Sequence, residues 1–283
     1  MKIGILTDST ANLQQIPYAS ERIKVIDFSV IISGTSFKAS TLSTDEFYQR
    51  MANAEKIPTT SQGTVMDVVT LLEEFKAEGY SDVIVMTISS KLSGSYQNIA
   101  SAAAEVDGLV VHLPDTLTTE IMLGTAVMYV DELIIQGQDV STILTQLDPF
   151  LLADGAFFYV DSLKHLVKGG RISGASGMVG EVLKIKPILE LTKEGTIELK
   201  EKKRTKTKAV NHLLALVQDQ VKDTPHTLFL LYSDNHAEVA AYESMFPLDA
   251  IRKARYLSPL TPVVGAHTGP GVIGIGWRLH ERA

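Results

Sequence analysis

The chain has 283 residues, 45% of them hydrophobic and 21% charged, with a formal net charge of -7 and no cysteine. That acidic balance argues against general nucleic-acid binding, which needs a basic surface to neutralise phosphates. The missing thiols exclude disulfides and thiolate metal sites and fit a reducing compartment.

Ile3 to Asp8 reads as a short apolar strand that ends in the polar loop Thr7-Asp8-Ser9-Thr10. Its four apolar positions are too few for the core of a secretory signal, and no apolar run approaches the roughly 20 residues of a membrane span. A cytoplasmic protein is therefore expected. Val25 to Ile32 is a second apolar run, and Ser43-Thr44-Asp45-Glu46 sets an N-cap residue before acids, which predicts a helix start. Thr64 to Glu78 carries Val65, Val68, Val69, Leu72 and Phe75 at helical spacing and stops at Gly79. Asp82 to Thr87 reads as a buried strand, Tyr96 to Glu105 as a helix, Leu109 to Leu113 as a strand, and Glu120 to Ile135 as a long amphipathic helix. This alternation implies parallel βαβ units.

The pattern changes after about Asp154. A strand from Ala156 to Val160 leads into the basic connector "DSLKHLVKGGRISGASG". Ile188 to Leu191 and Ile197 to Lys203 then read as a hairpin around Lys193-Glu194-Gly195. A helix near Thr205 to Val221, a strand at Leu228 to Ser233, a helix near Glu238 to Phe246 and a strand at Ala250 to Tyr256 precede the Gly-rich "VVGAHTGPGVIGIGW". Hairpins mixed with helices predict a second α/β domain with a mixed sheet. The expected fold class is α/β in two domains, residues 1–155 with a parallel sheet and 156–283 with a mixed one.

Several motif matches fail on context. Gly269 to Gly274 fits G-x-G-x-x-G, yet too few residues follow to build the helix and strand of a dinucleotide site. Ser233-Asp234-Asn235 lacks the S-x-x-K nucleophile of serine β-lactamases, and His236-Ala237-Glu238 lacks the cysteines of a zinc deaminase. Three hydroxyl-rich segments remain: Thr7-Asp8-Ser9-Thr10, Thr59-Thr60-Ser61-Gln62 and "ISSKLSGSYQ" at Ile88 to Gln97. The first and third fall at strand C-termini, where open α/β sheets bind ligands, and the third precedes a helix N-terminus. Together they make a donor-rich setting for a small anion, against the plainer alternative that each caps a helix. Lys168-Gly169-Gly170-Arg171 holds an arginine on a glycine turn, and His267 stands among small residues; each also has a purely structural reading.

The segments "TDSTANL", "TTSQGT", "ISSKLSGSYQNIA", "LKHLVKGGRIS", "KPIL" and "HTGPGVIGIGW", in that order over residues 7 to 277, resemble the DegV family of bacterial fatty-acid-binding proteins. The family includes the acyl-carrying subunits of fatty acid kinase. The resemblance implies one long-chain fatty acid held between two α/β domains, its tail in an apolar tunnel. It implies a carboxylate held by Thr60 with Ser61 beside it, by Ser93 with Gly94 following, and by His267. Protonation of His267 would add a charge-assisted bond. It associates Arg171 with a separate kinase subunit and phosphoryl transfer. ATP and Mg²⁺ are then expected on that kinase and no cofactor on this chain, with transient membrane contact for lipid exchange. Catalytic and metal-ligating residues are expected to be absent.

The alternatives are a fatty-acid carrier without a kinase, and a serine-dependent hydrolase or transferase using Ser93. Two departures from the family pattern stand out. Gly63-Thr64 follows Gln62 where the family reads Pro-Ser, which would loosen that loop. Asp115 to Glu120 replaces a serine- and glycine-rich segment, with Glu120 expected near the pocket rim.

Overall fold

The computed structural model describes residues 2–174, 185–246 and 252–280. Residues 175–177 of the basic connector and 250–251 of the last expected strand lie outside them. The N-terminal part is built on β1 (Ile3–Asp8), β2 (Ile23–Ile26), β6 (Asp82–Met86) and β7 (Val110–His112), in the order β2-β1-β6-β7 and all parallel. Every residue of β1 and β6 is buried, which is why both read as unbroken apolar runs. The apolar run from Val25 to Ile32 divides in two. Only β2 joins the parallel sheet. β3 (Ser29–Ile32) turns away to pair antiparallel with β4 (Thr35–Lys38) and β5 (Thr59–Ser61) in a small second sheet that sequence reading missed.

Local signals at helix starts are used as expected. Ser43 caps α1 (Thr44–Ala52) by accepting from the Glu46 amide, and Thr64 closes a capping box with Asp67 on α2 (Val65–Ala77). α3 (Ser95–Ala103) follows β6. α4 (Glu120–Ile135) differs from its expected amphipathic character: eleven of its sixteen residues are buried, Asp131 among them, because it is covered by more than one layer. α5 (Val140–Leu152), unannounced by the sequence reading, carries Pro149 in its last turn.

The C-terminal part is a six-stranded mixed sheet in the order β10-β9-β8-β13-β11-β12. Its strands are β8 (Asp154–Tyr159), β9 (Lys186–Leu191), β10 (Ile197–Lys203), β11 (His226–Tyr232), β12 (Arg252–Pro259) and β13 (Ile273–Leu279). Only β11 and β12 run parallel; the other neighbours are antiparallel. The expected boundary at 155/156 therefore falls inside β8, and sheet membership changes at Asp154. α6 (Lys164–Gly169) occupies what was read as an irregular connector, α7 (Lys206–Val221) and α8 (His236–Ala241) follow, and α9 (Pro262–Thr268) lies within the Gly-rich segment.

One apolar cluster joins the two parts, running from Leu6 and Phe28 through Leu92 to Leu163, Leu189 and Phe229. Polar ties flank it. The Ser89 hydroxyl donates to the Gly195 carbonyl at 2.8 Å and Asn12 Nδ2 to the Pro259 carbonyl at 2.7 Å. The buried Arg278 guanidinium takes Asp154 bidentately at 2.6 and 2.8 Å and also donates to Thr125 Oγ1 and the Met122 carbonyl. Two of the failed motifs brace each other: Ser233 Oγ accepts from the Val272 amide and Asp234 Oδ1 from the Gly271 amide, which holds the G-x-G-x-x-G turn against β11. Among the described residues no cluster of acids and histidines fits a metal ion, and no helix is long and apolar enough to cross a membrane.

Candidate functional site: a hydroxyl-lined chamber opening into an apolar one

Strand period places Thr60 inward. On β5, Thr59 and Ser61 are exposed while Thr60, paired with Val30, faces the interior. Thr60 Oγ1 lies 2.7 Å from His267 Nε2 in the last turn of α9. Ser61, expected to join the grip, sits on the opposite face, and its hydroxyl donates to the Gln62 carbonyl instead. A two-residue period cannot send neighbouring side chains to one side.

The β5–α2 loop is bound to the N-terminus of α3. Asn98 Nδ2 donates to the Gly63 carbonyl at 2.9 Å, and the Gln62 amide packs on Gly94, where a Cβ would meet Nε2 at 2.8 Å. Gly94 thus serves by its lack of a side chain, as the N-cap of α3, and does not line the chamber. Gly63-Thr64 does not loosen the loop either, since Gly63 packs on Ile26 and Thr64 caps α2. Ser93 lines the chamber, and its Oγ accepts from the Ser95 amide at 3.1 Å, which leaves its own proton to donate.

Gly170 ends α6 in the left-handed region at φ 70°, which turns the chain so that Arg171 reaches back. Arg171 Nε donates to the Leu92 carbonyl at 3.1 Å and Nη1 to the Gly169 carbonyl. Three of the guanidinium's five N–H groups are left without a hydrogen-bond partner among the described residues. A Cβ at Gly169 would collide with His267 Nδ1, so the first glycine of the pair is set by the close approach of that ring. Burial, then the charges of Arg171 and His165, hold His267 down at about 4. With these neighbours the imidazole is neutral at physiological pH.

Thr60, Ser93, Arg171 and His267 line one chamber with Gln62, Phe28, Ile88 and Leu166. Leu92, Thr119, Ile197, Val264 and Thr268 also line a second, apolar chamber that continues past Phe157, Leu231 and Ile275. The two enclose about 550 and 560 Å³, mouths included. Sequence reading missed Thr119 at the junction, whose buried Oγ1 has no hydrogen-bond partner among the described residues, because a threonine in a loop gives no sign of facing a cavity. The loop Thr7–Thr10 does not join the site. Asp8 accepts from the Thr10 amide and hydroxyl and from the Ile88 amide, which fixes the loops after β1 and β6 to each other.

Glu120 lines the apolar chamber from a buried position. It is 2% exposed, in the left-handed region at φ 59°, and accepts from the amide and hydroxyl of Thr261 and from Asn12 Nδ2. Burial pushes its carboxyl up to about 8, against the pull of the hydrogen bonds from Thr261 and Asn12. The folded protein therefore holds a proton there that the unfolded chain, near 4.5, has released. Stability carried by this group is present below pH 4.5 and is lost as pH rises towards 8. Asp8 behaves alike up to about 6, while His165 and His267, with depressed values, act oppositely below 6.5. Between pH 6.5 and 8 the melting temperature is expected to fall as pH rises, by at most about 1.4 kcal/mol per pH unit in stability. Glu120→Gln is expected to flatten that slope in thermal melts, and an unchanged slope would place the titration elsewhere.

The family model described as "Uncharacterised protein, DegV family" matches residues 2–279. A DegV domain-containing protein of Streptococcus pneumoniae is 34% identical over 279 residues, covering 98% of this chain and 99% of its own length. One from Staphylococcus aureus is 36% identical over 281 residues, covering 98% and 97%. Among solved structures, a fatty acid binding DegV family protein from Streptococcus agalactiae superposes with a TM-score of 0.91 at 28% identity, over 99% of this chain and 100% of that one. DegV of Bacillus subtilis, a fatty acid binding protein, gives 0.85 at 29% identity with the same coverage.

Proposed function

The chain belongs to the DegV family, and on that premise we propose that it binds one long-chain fatty acid and presents the carboxylate to a separate ATP-dependent kinase subunit. The observation that carries the reading is the pair of chambers with common walls, one lined by hydroxyls and a guanidinium, the next by apolar side chains. The DegV structures that bind fatty acids support it.

A tail of sixteen carbons offers roughly 12 kcal/mol of gross transfer energy at about 0.8 kcal/mol per methylene, so affinity comes mainly from the apolar chamber. The carboxylate is the costly end, because an ion taken from water needs hydrogen-bond donors. With its proton on Nε2, neutral His267 donates to Thr60 Oγ1 and frees the threonine proton for the ligand. Ser93, already accepting from the Ser95 amide, supplies a second neutral donor. Neutral donors hold the carboxylate while leaving one oxygen nucleophilic. That oxygen attacks the γ-phosphorus of ATP on the partner, the bond to ADP breaks, and an acyl phosphate forms. Positioning and charge neutralisation carry such transfers, and in this reading the unbonded N–H groups of Arg171 neutralise the charge. ATP and Mg²⁺ belong to the partner in this scheme, and loading involves brief contact with a membrane surface in the cytoplasm.

A hydrolase reading finds no support at Ser93: no described histidine or carboxylate hydrogen-bonds its Oγ, and the imidazole at the site is engaged by Thr60. Native mass spectrometry of protein purified from a bacterial host tests the binding: a co-purified long-chain acid is expected, and protein that carries none and takes none up after delipidation and reloading would sink the proposal. With the kinase subunit, ATP and Mg²⁺, wild type is expected to yield acyl phosphate. Arg171→Ala is expected to retain the acid and lose at least tenfold in that product, roughly the value of one charge-assisted contact. Unchanged turnover would remove Arg171 from the transfer, and loaded wild type that forms no acyl phosphate would leave a carrier.

A further inference from the structure

Among the described residues that line the apolar chamber, Glu120 alone is ionisable. Its donors are all neutral: the amide and hydroxyl of Thr261 at the head of α9, and the side-chain amide of Asn12 in the loop after β1. No Lys, Arg or His is among its described hydrogen-bond partners. Of the described titratable groups, Asp8 at the end of β1 and Tyr48 on α1 face it, and His267 lies at the far end of α9. Asp8, at about 6, is charged above neutrality and adds to the effect of burial on Glu120. Tyr48 is raised above its ordinary range and His267 is held low, so of these groups Glu120 alone changes charge between pH 7 and 9.

A carboxylate at that wall calls for water, since neutral donors do not cancel its charge, whereas an alkyl tail in the chamber excludes water. A fatty-acid head group brings a second negative charge close to Thr119, the neighbour of Glu120 that lines both chambers. Both effects favour the neutral acid once lipid is bound. We infer that fatty-acid binding is coupled to a proton held by Glu120: a filled chamber keeps the carboxyl neutral, and loss of that proton weakens the hold on the lipid. The inference rests on the proposed fatty-acid binding. Such coupling is reciprocal, so the lipid tightens the hold on the proton by the factor that the proton tightens the hold on the lipid.

The test measures the dissociation constant of a sixteen-carbon saturated acid, kept below its aggregation concentration, from pH 7 to 9 on delipidated wild type and Glu120→Gln. In wild type the constant is expected to rise roughly tenfold over that range, following the ionised fraction of a group that titrates at about 8. Glu120→Gln keeps the size and an acceptor oxygen but has no proton to lose, so its constant is expected to stay flat. Calorimetry in buffers of different ionisation enthalpy reads the proton on wild type itself and carries the test should Glu120→Gln fail to fold. Roughly half a proton is expected to be taken up per acid bound at pH 8. No uptake at pH 8, or a rise in the constant that Glu120→Gln shares, overturns the coupling. Wild type that binds no acid at any pH would instead bring down the fatty-acid reading itself.

Discussion

Thr60→Val is expected to weaken long-chain fatty-acid binding by roughly ten- to 150-fold, the worth of one hydrogen bond to a charged group at about 1.5–3 kcal/mol. The change keeps the volume of the side chain and its place on β5 and removes only the hydroxyl. That hydroxyl is 2.7 Å from His267 Nε2, so its loss also strands a buried ring nitrogen and costs the fold about 1–3 kcal/mol. Thr60→Ser restores the donor and is expected to recover most of the affinity, which a purely structural role for the methyl group would not. Ser93→Ala should lose a similar factor, and the double variant less than the product, because both donors serve one carboxylate. Fluorescent fatty-acid displacement and thermal melts on the same samples separate affinity from stability. Unaltered binding by Thr60→Val would take the head group out of this chamber.

Arg278→Ala is expected to destabilise the protein by about 3–5 kcal/mol, the usual result of breaking one partner from a buried ion pair. Arg278 is 3% exposed and Asp154 6%, and the guanidinium lies 3.9 Å over the Phe150 ring. Its donors reach back to Thr125 and to the Met122 carbonyl in the first turn of α4. One side chain from β13 therefore ties the start of β8 and the head of α4, the two elements that meet beside the tail chamber. The double change Asp154→Leu with Arg278→Met removes both charges and should recover part of the loss, the remainder reflecting the stranded Met122 carbonyl. Urea denaturation reads the difference. A single variant within about 1 kcal/mol of wild type, the range of exposed pairs, would show that the pair is solvated.

Local signals proved legible where short-range physics sets the outcome. Ser43, Thr64 and Thr205 each begin a helix because a side-chain oxygen there satisfies an amide that the helix cannot. β1 and β6 read as strands because both of their faces are buried. The hairpin at Gly195 was visible in its turn residue, which has φ 77°. What stayed hidden depended on distant partners. β3 and β5 are short strands that exist through their pairing, so the stretch around Thr60 carries no strand signal of its own. α5 was overlooked because its mixed pattern includes Pro149, and α6 because its glycines look like those of an irregular turn.

The residue types of the site are present in the sequence: the resemblance to the DegV family singles out Thr60, Ser93, Arg171 and His267, and all four line one chamber. Sequence also excluded thiolate chemistry in this chain, which has no cysteine, and showed a change of pattern near Asp154. Tertiary structure decided which hydroxyls face the chamber. Ser61 and Gly94 were separated from it by strand period and helix capping, and Glu120 was carried from an expected rim to a buried bond with Thr261. It also set the state of His267, because burial beside Arg171 keeps the ring neutral whatever its motif. Covalent neighbours choose a residue's backbone shape, but solvation, charge and the company a side chain keeps come from segments far along the chain, and only their packing supplies them.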